Sequence, residues 1–155
     1  MRCEEIMKRD VRTISPDDTV QAAAAIMRDA NIGFLPVCDA TSGRVVGTLT
    51  DRDIAIRVVA EGHPASVSVG QVMTREVVTC SPEEDVRTAA QRMAAAKKSR
   101  IIVADESGRP VGVISLSDLA QVGGVIAAET LEEVSAREAR PRSEESGSAP
   151  SQRAA

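Results

Sequence analysis

The feature that most constrains this chain is an internal repeat. Residues 7–27 read MKRDVRTISPDDTVQAAAAIM, and residues 73–93 read MTREVVTCSPEEDVRTAAQRM, at a constant offset of 66. Residues 35–54, LPVCDATSGRVVGTLTDRDI, match residues 101–119, IIVADESGRPVGVISLSDL, once one residue of the 40–42 turn is dropped. Ser-Pro, Ser-Gly-Arg, Val-Gly and a closing Asp recur in the same order, which alanine bias cannot produce. Self-similarity of this kind marks one supersecondary unit used twice. A unit of about 60 residues buries too little surface to be stable alone. Two such units packed sheet to sheet would cover each other's apolar faces, so the repeat predicts one pseudo-symmetric domain.

Each unit reads β-α-β-β-α, an α/β (α+β) pattern. A short β run at 11–14, and again at 77–80, precedes Ser15-Pro16-Asp17-Asp18 and Ser81-Pro82-Glu83-Glu84. Serine, proline and acids in that order suit a helix start. The helix that follows carries the i, i+3, i+4, i+7 stripe: Val20, Ala23, Ala24 and Met27, then Val86, Ala89, Ala90 and Met93. The methionines occupy matching positions and read as core. Hairpins at 34–49 and 100–114 turn at Gly43 and Gly108, where a permissive backbone is needed. Second helices fall near 51–60 and 116–121. The units span 1–62 and 66–124. Residues 125–138 read as one more amphipathic helix. Residues 139–155 form a polar, Pro/Ser-rich tail expected to be disordered.

Composition narrows the function. Phe34 is the only aromatic residue, so a bound base must be gripped by aliphatic side chains and backbone. The net charge of −4 and the lack of stacking residues argue against nucleic acid as a partner. No stretch approaches the length of a membrane span, and the N-terminus lacks the apolar segment of a signal peptide. Cys3, Cys38 and Cys80 are odd in number and scattered, as in a cytoplasmic protein with reduced thiols. Cys38 and Cys80 replace apolar residues of the other unit and read as small buried hydrophobes. Cys3, near the terminus, is expected to be exposed. His63 has no partner at metal spacing, and no nucleophile–base pair or carboxylate dyad assembles, so neither a metal nor an enzymatic activity is expected.

The residues at 11–16, 35–37 with Asp39, and 47–54, with their second copies at 77–82, 101–103 with Asp105, and 112–119, resemble the CBS domain family. Two tandem motifs of that family form a Bateman module, and TDRDIAIRVVAEG looks like its small stand-alone bacterial members. Thr50 and Ser115 sit where an apolar strand turns into a helix, with Asp53 and Asp118 three residues on. A carboxylate can accept both hydroxyls of a ribose, and a hydroxyl with free helix-start N–H groups suits a phosphate. The same residues also suit plain helix capping. The resemblance implies composite sites. One would combine Thr50, Arg52 and Asp53 with Val78, Thr79, Ser99 and Arg100, with Lys97 and Lys98 nearby. The other, weaker for an anion, would combine Ser115 and Asp118 with Arg12, Thr13, Gly33 and Phe34. The implied role is a regulatory sensor of AMP, ADP or ATP, with S-adenosylmethionine or a dinucleotide as lesser options and no cofactor required. A homodimer and an unnamed protein partner are expected with it. The competing role is a ligand-free dimerisation scaffold, and a redox role for the cysteines is a minor third.

Overall fold

The structure, a computed structural model, describes residues 1–136. In the first repeat α2 (Val20–Ala30) leads into β1 (Phe34–Cys38), β2 (Val45–Thr50) and α3 (Asp51–Ile54), which runs on as a π-helical segment, Ala55–Val59. In the second, β3 (Thr79–Cys80) precedes α5 (Val86–Ala96), β4 (Arg100–Ala104), β5 (Pro110–Ser115) and α6 (Leu116–Val122). β1 pairs antiparallel with β2 and β4 with β5, and the register shifts at matching places, Val37/Cys38 and Val103/Ala104. β3 adds to β4 in parallel. Its counterpart in the first repeat is a single bridge between Ile14 and Val37, so the β run expected at 11–14 shrinks to one residue. Only Ile14 exchanges bonds there, donating to the Pro36 carbonyl and accepting from the Cys38 N–H.

The Ser-Pro segments do not start the helices. Thr19 caps α2 by accepting the Ala22 N–H, and Asp85 caps α5 by accepting from Arg87. Ser15 and Asp18 instead close a turn, the Asp18 carboxylate taking the Ser15 N–H, and Glu84 does the same for Ser81. Serine, proline and acids serve turns as well as caps, which moves the true helix start one turn downstream. Both helices end on a left-handed residue, Asn31 (φ 52°) and Lys97 (φ 52°).

The buried residues form two clusters, and each is completed by the leader of the other repeat. Cys3 and Met7, from α1 (Cys3–Ile6) and the residue after it, pack with Val86, Met93, Ile101 and Leu119 of the second repeat. Val69, Val72 and Met73, from α4 (Val69–Val72) and the residue after it, pack with Leu35, Leu49 and Val58 of the first. Lys8 then pairs with Val113 of β5, and Thr74 with Thr48 of β2. Glycine is required where the leaders cross. A Cβ on Gly47 would lie 2.7 Å from Met73 Sδ and 2.9 Å from the Thr74 carbonyl oxygen, and one on Gly112 would collide with the Met7 side chain. Cys3, expected to be exposed, is thus fully buried, because the leader docks rather than frays. Met27 and Met93 are buried as expected.

Alternate strand residues face the other repeat. Pro36 and Ile102 are buried outside both clusters, on the opposite faces of β1 and β4 from Leu35 and Ile101. The hairpin tips also meet: the Val45 N–H donates to the Gly108 carbonyl, and Arg109 Nε to the Ser42 carbonyl, each at 3.0 Å. The helix expected at 125–138 is α7 (Gly124–Ser135), lying on α5 and α6 with Ile126 and Ala127 against the second repeat's cluster, the one that holds Cys3 and Met7. Residues 137–138 and the tail at 139–155 lie outside the described residues. No helix among the described residues is long and apolar enough to cross a membrane.

Candidate functional site

Two clefts open between the repeats, each built from both. Their position follows from the hairpins. The Asp51 N–H, at the start of α3, donates to the Gly33 carbonyl, and the Leu116 N–H, at the start of α6, donates to the Ser99 carbonyl. Each strand start is thereby tied to the helix start of its own repeat, and the pseudo-symmetry sets it against the other repeat.

The first cleft, of about 240 Å³, brings Thr50, Arg52 and Asp53 together with Ser99 and Arg100. Lys97 and Lys98 join them, as do Asp51, Thr48, Thr74 and Phe34, and Val134 of α7 reaches its rim. Val78 lines a small adjoining recess with Phe34, Arg100 and Ile102. Thr79 lies elsewhere, in a shallow depression with Arg44, Ser81, Glu84 and Arg92. The second cleft, of about 270 Å³, gathers Arg12, Gly33, Phe34, Ser115 and Asp118, together with Lys8, Asp10, Asn31 and Ser117. Thr13 lies apart from it, in an open depression with Ser15, Asp18 and Asp39. Thr13 and Thr79 occupy matching repeat positions and both turn away from the clefts for the same reason. Side chains alternate along an extended segment, and the neighbours Arg12 and Val78 take the cleft-facing place.

Phe34 and Arg100 line both clefts and form the wall between them. The guanidinium carbon of Arg100 sits 5.7 Å from the centre of the Phe34 ring, within reach of a cation–π attraction.

The two acidic residues differ in their partners. Asp53 Oδ2 accepts the Thr50 N–H at 3.0 Å, the Thr50 hydroxyl accepts the Asp53 N–H at 3.1 Å, and Arg57 stands 3.8 Å from Oδ1. Asp118 makes the same reciprocal cap with Ser115, but its other oxygen pairs with Lys8 at 3.2 Å. Burial alone would raise the Asp118 carboxyl. The hydrogen bonds from Ser115 and the Lys8 ammonium outweigh it and hold the group below the ordinary aspartate value.

The helix-start N–H groups expected to meet a phosphate at the first cleft are already taken. Asp51 N–H goes to Gly33, Arg52 N–H to the Asp51 carboxylate at 2.8 Å, and Asp53 N–H to Thr50. The cations that line this cleft are the side chains of Arg52, Lys97, Lys98 and Arg100. Among the described residues no group of three or more His, Cys, Asp or Glu converges to hold a metal ion.

Sequence reasoning missed Lys8, Asn31, Thr74 and Val134. A signal for two of them existed: Lys8 and Thr74 are repeat-equivalent and directly follow the matched Met7 and Met73. Nothing in the sequence said that each leader crosses to the other repeat.

The family model of the CBS domain matches residues 3–60 and again 69–123. The chain belongs to the CBS domain family. It is 38% identical over 117 residues to the CBS domain-containing protein YhcV of Bacillus subtilis, covering 76% of this chain and 81% of that protein. Among solved structures, the conserved CBS domain protein TA0289 of Thermoplasma acidophilum, of unknown function, aligns with a TM-score of 0.76 at 28% identity, over 86% of this chain and 75% of that one. The CBS domain pair of protein MJ0100, in complex with 5′-methylthioadenosine and S-adenosyl-L-methionine, aligns with a TM-score of 0.72 at 28% identity, over 81% of this chain and 97% of that one.

Proposed function

We propose that this CBS pair is a non-enzymatic regulatory module that binds an adenine nucleotide, or a related adenosyl ligand, in the first cleft. One observation carries the reading. Four cationic side chains, Arg52, Lys97, Lys98 and Arg100, converge with the Thr50 hydroxyl and the Asp53 carboxylate on a single cleft built from both repeats. Cations suit phosphate oxygens, and Asp53 keeps lone pairs free to accept ribose hydroxyls. The MJ0100 pair, similar in sequence and fold, holds two adenosyl compounds. The cationic rim of this chain favours the phosphorylated members AMP, ADP and ATP. The second cleft, with Asp10 and the Lys8–Asp118 pair, suits a less charged ligand. Because either ligand would touch both repeats, binding favours one relative arrangement, which a partner can read.

The test is calorimetry of the full chain with AMP, ADP, ATP and S-adenosylmethionine, repeated on Arg100→Ala and Asp53→Ala. Binding of one nucleotide, weakened at least tenfold by either variant, is the expected result, with the apo melting temperature within a few degrees of the parent for Arg100→Ala and lower for Asp53→Ala, which also removes the cap with Thr50. No heat across the panel, or undiminished affinity in both variants, removes the proposal. A pairing scaffold is the second reading, favoured by the exposed apolar side chains of Val59, Val125 and Leu131. Sedimentation at several concentrations separates the two: a homodimer indifferent to nucleotide supports the scaffold alone. The free thiols, and the absence among the described residues of a helix long and apolar enough to cross a membrane, suit a cytoplasmic setting, which fractionation of the source cells would test.

A further inference from the structure

Two of the three cysteines meet, although they stand far apart in the chain. Cys3 lies in α1 of the leader and Cys80 at the end of β3, and the Cys80 thiol donates to Cys3 Sγ at 3.7 Å. Both are free thiols, and both are buried. Cys38, the third, sits in the other repeat on β1 and faces neither of them. The pair lies where the leader docks on the second repeat, with Cys3 and Met7 in its core. The Cys3 N–H donates to the Glu84 carbonyl, the Glu4 N–H to the Pro82 carbonyl, and Lys8 pairs with Val113. That same segment delivers Lys8 to Asp118 in the second cleft.

We propose that Cys3 and Cys80 are a reversible disulfide site, closed by peroxide-class oxidants, that clamps the N-terminal leader onto the second repeat. The inference does not rest on the nucleotide reading. With hydrogen peroxide the balance is direct. A Cys3 thiolate attacks one peroxide oxygen, an S–O bond forms, the O–O bond breaks, and the released hydroxide takes a proton to leave as water. Cys80 sulfur then attacks the Cys3 sulfenic acid, the S–S bond forms, the S–O bond breaks, and a second water leaves. The two thiols lose two electrons and two protons, and the peroxide becomes two waters. A thiol-based reductant reverses the step by exchange.

The geometry assigns the order of events. Cys80 is the donor in the docked sulfur pair, and that hydrogen bond lowers the Cys3 thiol below its ordinary value while raising Cys80. Cys3 is fully buried, so oxidant reaches it only when the leader undocks, a local opening that breaks neither hairpin. Cys3 rides on the leader whereas Cys80 stays on β3, so Cys3 is the sulfur carried into solvent and therefore the attacking one. Redocking then returns the oxidised sulfur to Cys80. The closed loop runs from residue 3 to residue 80, so the bond removes much unfolded-chain entropy, and a rise in melting temperature on the order of 10 °C is expected.

The experiment treats the full-length native chain with hydrogen peroxide, blocks remaining thiols by alkylation, and maps disulfides by mass spectrometry of unreduced digests. The expected product is a chain with an intramolecular Cys3–Cys80 crosslink and alkylated Cys38, melting higher than the reduced chain and returning to it with dithiothreitol. Amide exchange of residues 3–8 should slow at least tenfold on oxidation. Cys3→Ser should lose the crosslink and the shift in melting temperature together. A crosslink through Cys38, a disulfide between two chains, sulfinic acid at Cys3 without a crosslink, or no reaction under native conditions each overturns the proposal. The mapping is made on the unmutated chain, so a poorly folded variant would not rescue the idea.

Discussion

Asp118 offers a quantitative check on how the second cleft is held together. Its side chain is only 8% exposed, whereas that of its partner Lys8 is 70% exposed. An ion pair with one arm in solvent contributes about 0.5–1 kcal/mol. The cap is worth more, because Asp118 receives the Ser115 N–H at 2.8 Å in a part-buried position. Removing that acceptor costs about 1–2 kcal/mol in capping and leaves a shielded donor unpaired. Asp118→Ala should therefore destabilise the chain by about 2–3 kcal/mol, a fall in melting temperature on the order of 5–10 °C for a chain of this size. Asp118→Asn keeps an acceptor and should cost about 1 kcal/mol, and Lys8→Met less than about 1 kcal/mol. Urea unfolding of the four proteins and the Lys8/Asp118 double mutant measures the pair directly. The acid limb adds a second check. The folded carboxyl lies below its unfolded value, so its contribution is present above about pH 4 and is lost as pH falls through the folded value. Asp118→Asn should flatten that part of the stability–pH curve. If Lys8→Met costs as much as Asp118→Ala, the ion pair rather than the cap dominates and the reasoning is wrong.

Other expectations are sharp enough to fail. Lys97 holds a left-handed backbone at a helix end where its counterpart is Asn31. Lys97→Gly should stabilise the chain by about 1 kcal/mol while weakening nucleotide binding; thermal unfolding and calorimetry on one preparation check both signs. Gly47→Ala would meet the backbone oxygen of Thr74, fixed by reciprocal bonds to Thr48, and should cost at least about 1–3 kcal/mol. Gly33→Ala meets only the exposed Asp51 carboxylate and should cost less than about 0.5 kcal/mol. Equal losses in urea titrations would refute the distinction. Arg100 faces both clefts, so an anion that draws it into one takes it from the other. Two-site calorimetry should show the second binding weakened, and Arg100→Ala should remove that difference.

Much of the architecture was legible because it is written twice. A single segment of glycine, two strand residues and a Thr or Ser is weak evidence, but the copies at Gly47 and Gly112 located both hairpins and both helix starts at Thr50 and Ser115. Local chemistry was ambiguous where one residue set serves two purposes. Ser15-Pro16 and Ser81-Pro82 satisfy turn and cap rules alike, and only the competing caps Thr19 and Asp85 decide between them. The clefts were half legible. Thr50, Asp53, Ser99 and Arg100 could be assigned to one cleft by the family's composite pattern. Lys8 could not, because its place depends on Met7 entering the core of the opposite repeat, a long-range contact that no local pattern encodes.

That exchange of leaders also limits what a ligand can do. Separating the repeats would pull Cys3, Met7, Val69, Val72 and Met73 out of the cores that hold them. At about 1.5–3 kcal/mol for each buried side chain, the cost is on the order of 10 kcal/mol. A micromolar ligand supplies about 8 kcal/mol in total, and only its difference in affinity between two states can do work. Binding in either cleft therefore cannot drive the repeats apart. Any signal must come from smaller movements at the rims, where Lys97 sits on a strained backbone, Arg100 rests against Phe34, and α7 brings Val134 to the mouth of the first cleft.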